Sequence, residues 1–193
     1  MKAVLLAVAM MIGGGAATAQ AVSSAQAEAQ LFPPGRQVVQ LSSQLSDADK
    51  ATIKALIPLM EGQMQTQVLF YSSIAYAPGE GLVGKGLQGA FNHHTPAAAD
   101  RAALRACTAE KSRGSGACRI AARVLPRGYS DRPLSLSSAA TSAFSANYQR
   151  QRAPKALAIS PSTGAWGIGA GDQAAVTACR RGGARDCEIA IRN

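Results

Sequence analysis

The spacing of apolar residues first becomes regular near residue 46, where it follows the period of an α-helix. Ser46 can cap this helix, and Pro58 inside it should kink or split it. The apolar face consists of Ile53, Leu56, Ile57, Met60 and Met64. The preceding residues, 20–45, are polar and rich in Ala, Gln and Ser, so we expect a mobile leader without regular structure.

Residues 46–126 combine this helix with a strand-rich segment. The β-branched and aromatic content of 68–76, the turn at 78–81 and the apolar run at 82–87 predict a hairpin. Helical spacing follows at 97–107, and a third strand is expected at 119–125. The segment therefore has the element order ββαβ.

The same order recurs in residues 153–193, with strands at 156–160 and 165–169, a helix at 172–180 and a last strand at 188–192. The connecting residues, 127–152, contain a short helix at 137–148 with Ala140, Phe144 and Tyr148 on one stripe. We therefore expect an α+β domain of two tandem ββαβ units. Their hairpins should meet in one antiparallel sheet or in two facing sheets.

Matching residues indicate that the two units arose by duplication. P-x-x-G-x-x-G-x-G begins at Pro78 and again at Pro161, DRAALRAC (100–107) aligns with DQAAVTAC (172–179), and CRIAAR (118–123) aligns with CEIAIR (187–192). Three blocks in the same order make chance matching a poor explanation.

The glycines of the second hairpin alternate with larger residues along a strand. Trp166 and Ile168 point to one face, so Gly167 and Gly169 leave the other face bare. A bare strip favours close approach of a helix or another backbone, and approach of a ligand is the alternative. A phosphate loop is excluded, because no helix directly follows the glycines and no Gly-Lys-Ser/Thr is present.

The amino terminus has the features of a secretory signal peptide. Lys2 precedes an apolar run, and small residues at 17–19 supply a cleavage site, so residues 1–19 should be removed. The apolar run is too short to span a bilayer, and we expect no transmembrane segment after processing. A periplasmic or secreted protein follows from this assignment.

The chain is basic, with a formal net charge of +9. An exported basic protein meets peptidoglycan, anionic lipids and acidic envelope proteins, which are the expected partners, whereas we expect no nucleic acid. Fourteen of the twenty basic residues are Arg. A compositional bias toward Arg, Ala and Gly is therefore the alternative explanation of the charge.

The four cysteines should form disulfides, because an exported chain folds in an oxidising compartment. Three connectivities are available in principle. The repeat favours Cys107 with Cys118 and Cys179 with Cys187, since both units then close the same loop. The spacing does not suit a metal site.

Residues 156–171, 172–179 and 186–191 read ALAISPSTGAWGIGAG, DQAAVTAC and DCEIAI. With this motif the chain resembles the bacterial exported family known as domain of unknown function 4189. The first unit keeps Tyr71 and Ile74-Ala75 but has Val83 at the Trp position, and the second has Pro154-Lys155 where the family opens with Tyr-Gly. The resemblance implies a fold and an exported location, and the family has no agreed activity.

Few residues in the sequence suggest catalysis. His93 and His94, the only histidines, are expected in a solvated loop, and a metal-dependent enzyme or small hydrolase would have to use them. Asp100 and Asp172 recur in both units, but as acids in the first turn of a helix they should favour the helix dipole. A pyridoxal phosphate enzyme needs a larger fold and a Schiff-base lysine, and we expect no cofactor.

The leading hypothesis is therefore a non-catalytic protein that binds an anionic envelope component or a protein partner. Arg180, Arg181 and Arg185 crowd the second disulfide loop and are the candidate contacts. A solvated helix end favoured by the helix dipole is the alternative interpretation of these arginines. Trp166, the only tryptophan, is either a core anchor or an exposed stacking surface.

We expect the mature protein to begin at Gln20, because Ala17-Thr18-Ala19 has the small-residue pattern that precedes signal cleavage. The measurement is the intact mass of protein recovered from the periplasm. A chain that retains residues 1–19, or one cut at another position, would contradict the assignment.

Overall fold

The computed structural model describes residues 21–193, and the predicted signal peptide lies outside them. Within this part of the chain, the helices are α1 (Ser24–Gln30), α2 (Asp47–Met64), α3 (Pro96–Glu110), α4 (Ser138–Ala143) and α5 (Asp172–Arg181). The strands are β1 (Gln37–Leu41), β2 (Ser72–Tyr76), β3 (Gln88–Ala90), β4 (Arg119–Pro126), β5 (Ala156–Ile159), β6 (Trp166–Gly169) and β7 (Glu188–Arg192). The α+β class is confirmed.

The strands form two antiparallel sheets, in the orders β1-β4-β2-β3 and β6-β5-β7. In each ββαβ unit the first strand lies in the centre, with the second strand on one side and the last strand on the other. The pairing register between the central strand and the last strand shifts by a bulge in both units. The shift lies between Ile74 and Ala75 in the first unit and between Leu157 and Ala158 in the second. The units therefore share a strand order and a bulge position.

Each unit packs its helix against its sheet through small side chains. The buried contacts in the first unit are Ala75, Ala77, Ala90, Ala103 and Cys107. Those in the second unit are Ala156, Ala158, Ala175, Cys179 and Ala184. Because these side chains are short, the helix and sheet backbones approach closely.

The glycines of β6 make this approach closest. A Cβ atom on Gly167 would lie 2.6 Å from the carbonyl oxygen of Ala175 and would overlap the backbone nitrogen of Cys179. A Cβ on Gly169 would likewise overlap the backbone of α5. The bare strip therefore receives a helix, as the sequence favoured, and α5 leaves no room there for a ligand.

The first hairpin differs from its predicted register. Ala75 pairs with Gln88, whereas the equivalent Ala158 pairs with Gly167, so Gln88 occupies the place of Gly167. The predicted strand at 82–87 is wrong, because 81–83 form a 3₁₀ turn and β3 begins only at Gln88. A longer turn accounts for the shift, and it leaves Val83 93% exposed rather than at the Trp position.

The opposite face of the second sheet is covered by residues between the two units. Phe144 and Tyr148, on one stripe as predicted, pack with Leu136 against Leu157 and Ile191. The stripe continues beyond α4 through a π-helical turn at Phe144–Tyr148. The second sheet thus obtains half of its core from outside its own ββαβ unit.

The predicted leader without regular structure is wrong for residues 24–30 and 37–41. Ser23 and Gln26 form a capping box at the start of α1, and Ala27 is fully buried against the second sheet. β1 pairs with β4 along its length. A few well-placed apolar residues and a strand partner far along the chain are sufficient to order this polar segment.

Pro58 does not split α2, which runs unbroken to Met64. Proline removes the hydrogen bond to the carbonyl of Lys54. Both residues are exposed, so water can take that bond. Ile53 is the one fully buried residue of this helix.

We expect Gly167→Ala to lower the free energy of unfolding by about 2 kcal/mol or more, because the added methyl group must push α5 off the sheet. Gly62→Ala is the matched control: nothing lies within 4 Å of its added Cβ. In the exposed helix α2 this change should stabilise the protein by about 0.5–1 kcal/mol. Urea unfolding measures both, and equal effects would contradict the close packing of α5.

Candidate functional site

The disulfides have the predicted pairing, Cys107–Cys118 and Cys179–Cys187. Each joins the carboxyl end of a unit's helix to the start of its last strand. For loops of this length a disulfide stabilises the fold by roughly 2.5–3 kcal/mol. Both units therefore hold the same loop closed.

An acidic residue also ties each disulfide loop to the hairpin turn of its unit. In the second unit Asp186, in the loop, accepts hydrogen bonds from the Ser160 hydroxyl at 2.5 Å and the Ser162 N–H at 3.0 Å. In the first unit Glu80, in the turn, accepts from Gly86 N–H at 2.7 Å and from Ser112 N–H in the loop.

These bonds favour the ionised carboxylates. The Ser160 and Ser162 contacts lower the pKa of Asp186, and the backbone bonds from Gly86 and Ser112 lower the pKa of Glu80. Asp186 is thus ionised at neutral pH and directed at the turn of its own unit.

Arg180, Arg181 and Arg185 are all exposed on this second loop, at the end of α5 and just beyond it. Within residues 21–193 the ion pairs are Lys50–Asp47, Arg123–Asp100 and Arg192–Asp172, so none involves these three arginines. We call them the arginine loop. It combines three unpaired guanidinium groups with a backbone fixed by a disulfide and by Asp186.

Trp166 does not share a groove with the arginine loop. It is half-buried and packs with Ile168 against the Phe144 and Tyr148 cluster. Its remaining surface borders an open groove whose one cation is Arg150. The core-anchor interpretation fits this position, and the groove does not unite Trp166 with the predicted arginines.

Asp100 and Asp172, the acids that recur in both units, each bind an arginine on the last strand of their own unit. Asp100 binds Arg123 on β4 at 2.7–3.0 Å and accepts from the Ser73 hydroxyl at 2.6 Å, and Asp172 pairs with Arg192 on β7. The dipole role is wrong for Asp100, because α3 begins at Pro96 and places it in the second turn. Asp172 does lie in the first turn of α5, as predicted. Both acids also fix a helix to a strand.

The histidines are buried rather than in a solvated loop as predicted. His94 is 1% exposed; its Nδ1 accepts from Ser137 N–H at 3.0 Å and its Nε2 lies 2.9 Å from the carbonyl of Ala165. Since Ser137 donates to Nδ1, Nε2 carries the proton and donates to Ala165. Both nitrogens are therefore engaged, and His94 is unavailable as a metal ligand or general base.

The surroundings of both rings disfavour protonation. Burial lowers the pKa of His94 to about 4. Burial, followed by the charges of Arg105 and Arg101, also lowers the pKa of His93. His93 has a buried Nδ1 without a partner among the described residues.

A cavity of about 280 Å³ lies where the two units and their connecting segment meet. Its walls include His94 and Arg101 from the first unit, Leu134 from the connection, and Ile159 and Glu188 from the second unit. No sequence pattern pointed to this site. Its lining residues come from five separate segments and share no motif.

We expect His94 to make the protein less stable in mild acid. The unfolded chain takes up a proton below pH 6.5, but folded His94 does so only near its pKa of about 4. Stability is therefore full at neutral pH and declines by about 3 kcal/mol as pH falls through this window. Urea unfolding at pH 4.5 and 7 should show that the free energy of unfolding changes less with pH in His94→Gln than in the unmodified protein. The difference in slope should correspond to about one proton.

His93 contributes in the same direction, so the double variant His93→Gln/His94→Gln serves as the reference for complete loss of histidine titration. An unchanged slope in His94→Gln would contradict the buried neutral ring.

Among residues 21–193 no three His, Cys, Asp or Glu side chains are placed to hold a metal ion. The chain matches no protein-family model, no curated protein and no solved structure. The arginine loop and the cavity between the units each offer unpaired charge to a ligand.

Proposed function

We propose that this protein is exported to the periplasm or secreted, and that it binds an anionic component of the cell envelope through the arginine loop. Two disulfides fit an oxidising compartment. None of the helices in the described part of the chain has the length and apolar character to cross a membrane. The signal sequence and the resemblance to the exported family of domain of unknown function 4189 support the same location.

The observation that carries the proposal is the exposure of Arg180, Arg181 and Arg185 without ion-pair partners. All three are exposed, and none has an ion-pair partner among the described residues. The nearest acid in sequence, Asp186, is held by Ser160 and Ser162. Planar guanidinium groups bind phosphate and carboxylate through paired hydrogen bonds, and a fixed backbone reduces the entropy lost on binding.

Three other arginines of the chain have structural partners. Arg123 and Arg192 bind Asp100 and Asp172, and Arg132 donates to the carbonyl of Gln30 at 2.6 Å and lies over the Phe32 ring. The arginine loop is thus a place where cationic side chains remain available after folding.

Peptidoglycan, anionic lipid headgroups and acidic envelope proteins all present the carboxylates or phosphates that such a loop recognises. The rival function, a hydrolase or metal-dependent enzyme built on His93 and His94, has little to support it. His94 uses both ring nitrogens within the fold. His93 alone does not supply an acid, a base and a nucleophile.

Replacing Arg180, Arg181 and Arg185 by Ser should weaken binding to purified sacculi or anionic vesicles. At about 1 kcal/mol for each cation near an anionic surface, the loss is roughly a hundredfold at low ionic strength. The salt dependence of binding should become flatter, because fewer counterions are released. Sedimentation over a salt series measures both quantities for sacculi and for vesicles.

The matched control replaces Arg36, Arg105 and Arg127, which are also exposed, by Ser and has the same net charge. It should bind nearly as well as the unmodified protein. An equal loss in both triple variants would assign binding to overall charge, and absence of binding at low salt would refute the proposal.

A further inference from the structure

The cavity between the units has the properties of a small-molecule site. Its apolar walls include Val22, Leu134, Ile159 and Ile189, and its volume is about 280 Å³. Sites for small molecules are usually concave, mostly apolar and placed between structural units, with volumes from about 300 to 1,000 Å³. This cavity lies just below that range, so its ligand should be small.

Two opposite charges line the same cavity. Arg101 belongs to α3 of the first unit, and Glu188 begins β7 of the second. Neither forms an ion pair within residues 21–193, so no nitrogen of Arg101 lies within 4.0 Å of the Glu188 carboxylate. The cavity therefore presents one cation and one anion that do not neutralise each other.

Other ligand classes match this arrangement less well. A simple anion would be repelled by Glu188, and a simple cation by Arg101. A metal ion would find one carboxylate, since both nitrogens of His94 are already bonded. A neutral apolar molecule would leave both charges without partners.

We propose that the cavity binds a small zwitterion with an apolar body, namely a free apolar α-amino acid or a short apolar peptide. Arg101 would bind the carboxylate, Glu188 would bind the ammonium group, and the apolar walls would receive the side chain. Both charged side chains are exposed, so solvent screens them and each contributes modestly. This site is separate from the arginine loop, and neither proposal depends on the other.

Isothermal titration calorimetry with the purified oxidised protein tests the ligand class. The probes are leucine, leucyl-leucine, N-acetyl-leucine, which lacks the ammonium group, and leucine amide, which lacks the carboxylate. Leucine or leucyl-leucine should bind, and each blocked leucine should bind about tenfold more weakly than leucine. The comparison of leucine with leucyl-leucine distinguishes an amino acid from a peptide.

Single substitutions then assign the two charges. Arg101→Gln should weaken leucine binding severalfold and leave leucine amide unchanged. Glu188→Gln should weaken leucine binding by a similar factor and leave N-acetyl-leucine unchanged. Arg105→Gln is the control, because Arg105 is exposed one turn further along α3 and does not line this cavity. Thermal melts of the three variants establish that each remains folded.

Nuclear Overhauser contacts identify the occupant directly. The methyl groups of Val22 and Ile159 should contact the leucine side chain in the bound state. The proposal is overturned if no probe binds at millimolar concentration, or if blocked and unblocked leucine bind equally. It is also overturned if the methyl groups contact the protein's own residues before Val22, or a second copy of the chain.

Discussion

The close contact between α5 and the second sheet is the constraint on which the rest of that unit depends. Gly167 and Gly169 bring the helix backbone against the strand, which places Cys179 within reach of Cys187 and Asp172 beside Arg192. A larger residue on that face of β6 would move the helix away from both partners. The small residues of β6 make the close packing of α5 possible, and the disulfide and the ion pair hold the helix in that position.

His94 has a comparable role between the units. Its ring joins the loop ahead of α3, the amino-terminal end of α4 and the hairpin turn of the second unit, and its two hydrogen-bond partners are 43 and 71 residues away. A neutral imidazole suits this position because it donates on one side and accepts on the other. The residue that most resembled a catalytic group is thus a structural link.

The sequence predicted the second unit more accurately than the first for a local reason. Glycine and proline frame β5, β6 and α5, and the predicted β7 has the observed bounds. In the first hairpin, Gly84 and Gly86 have the same spacing as the strand glycines Gly167 and Gly169. They precede β3, and the residue that pairs as Gly167 does is Gln88, four residues after Gly84. The local sequence does not distinguish glycines in a strand from glycines of the same spacing in a turn, because the register of β3 is fixed by its pairing with β2.

Long-range contacts explain the other differences. β1 is ordered by pairing with β4, about 85 residues later by the register of Val39 with Val124. The cavity that Arg101 and Glu188 share depends on how the two units dock, which composition and periodicity do not encode. The arginine loop, by contrast, was evident from sequence because its members are neighbours along the chain.

The two units share a connection between hairpin turn and disulfide loop, and a different residue makes it in each unit. The carboxylate belongs to the turn in the first unit, as Glu80, and to the loop in the second, as Asp186. The carboxylate that accepts the hydrogen bonds therefore lies on opposite sides of the contact between turn and loop in the two units. Residue-by-residue alignment of the two halves pairs neither acid with the other, so the two units are more alike in three dimensions than in sequence.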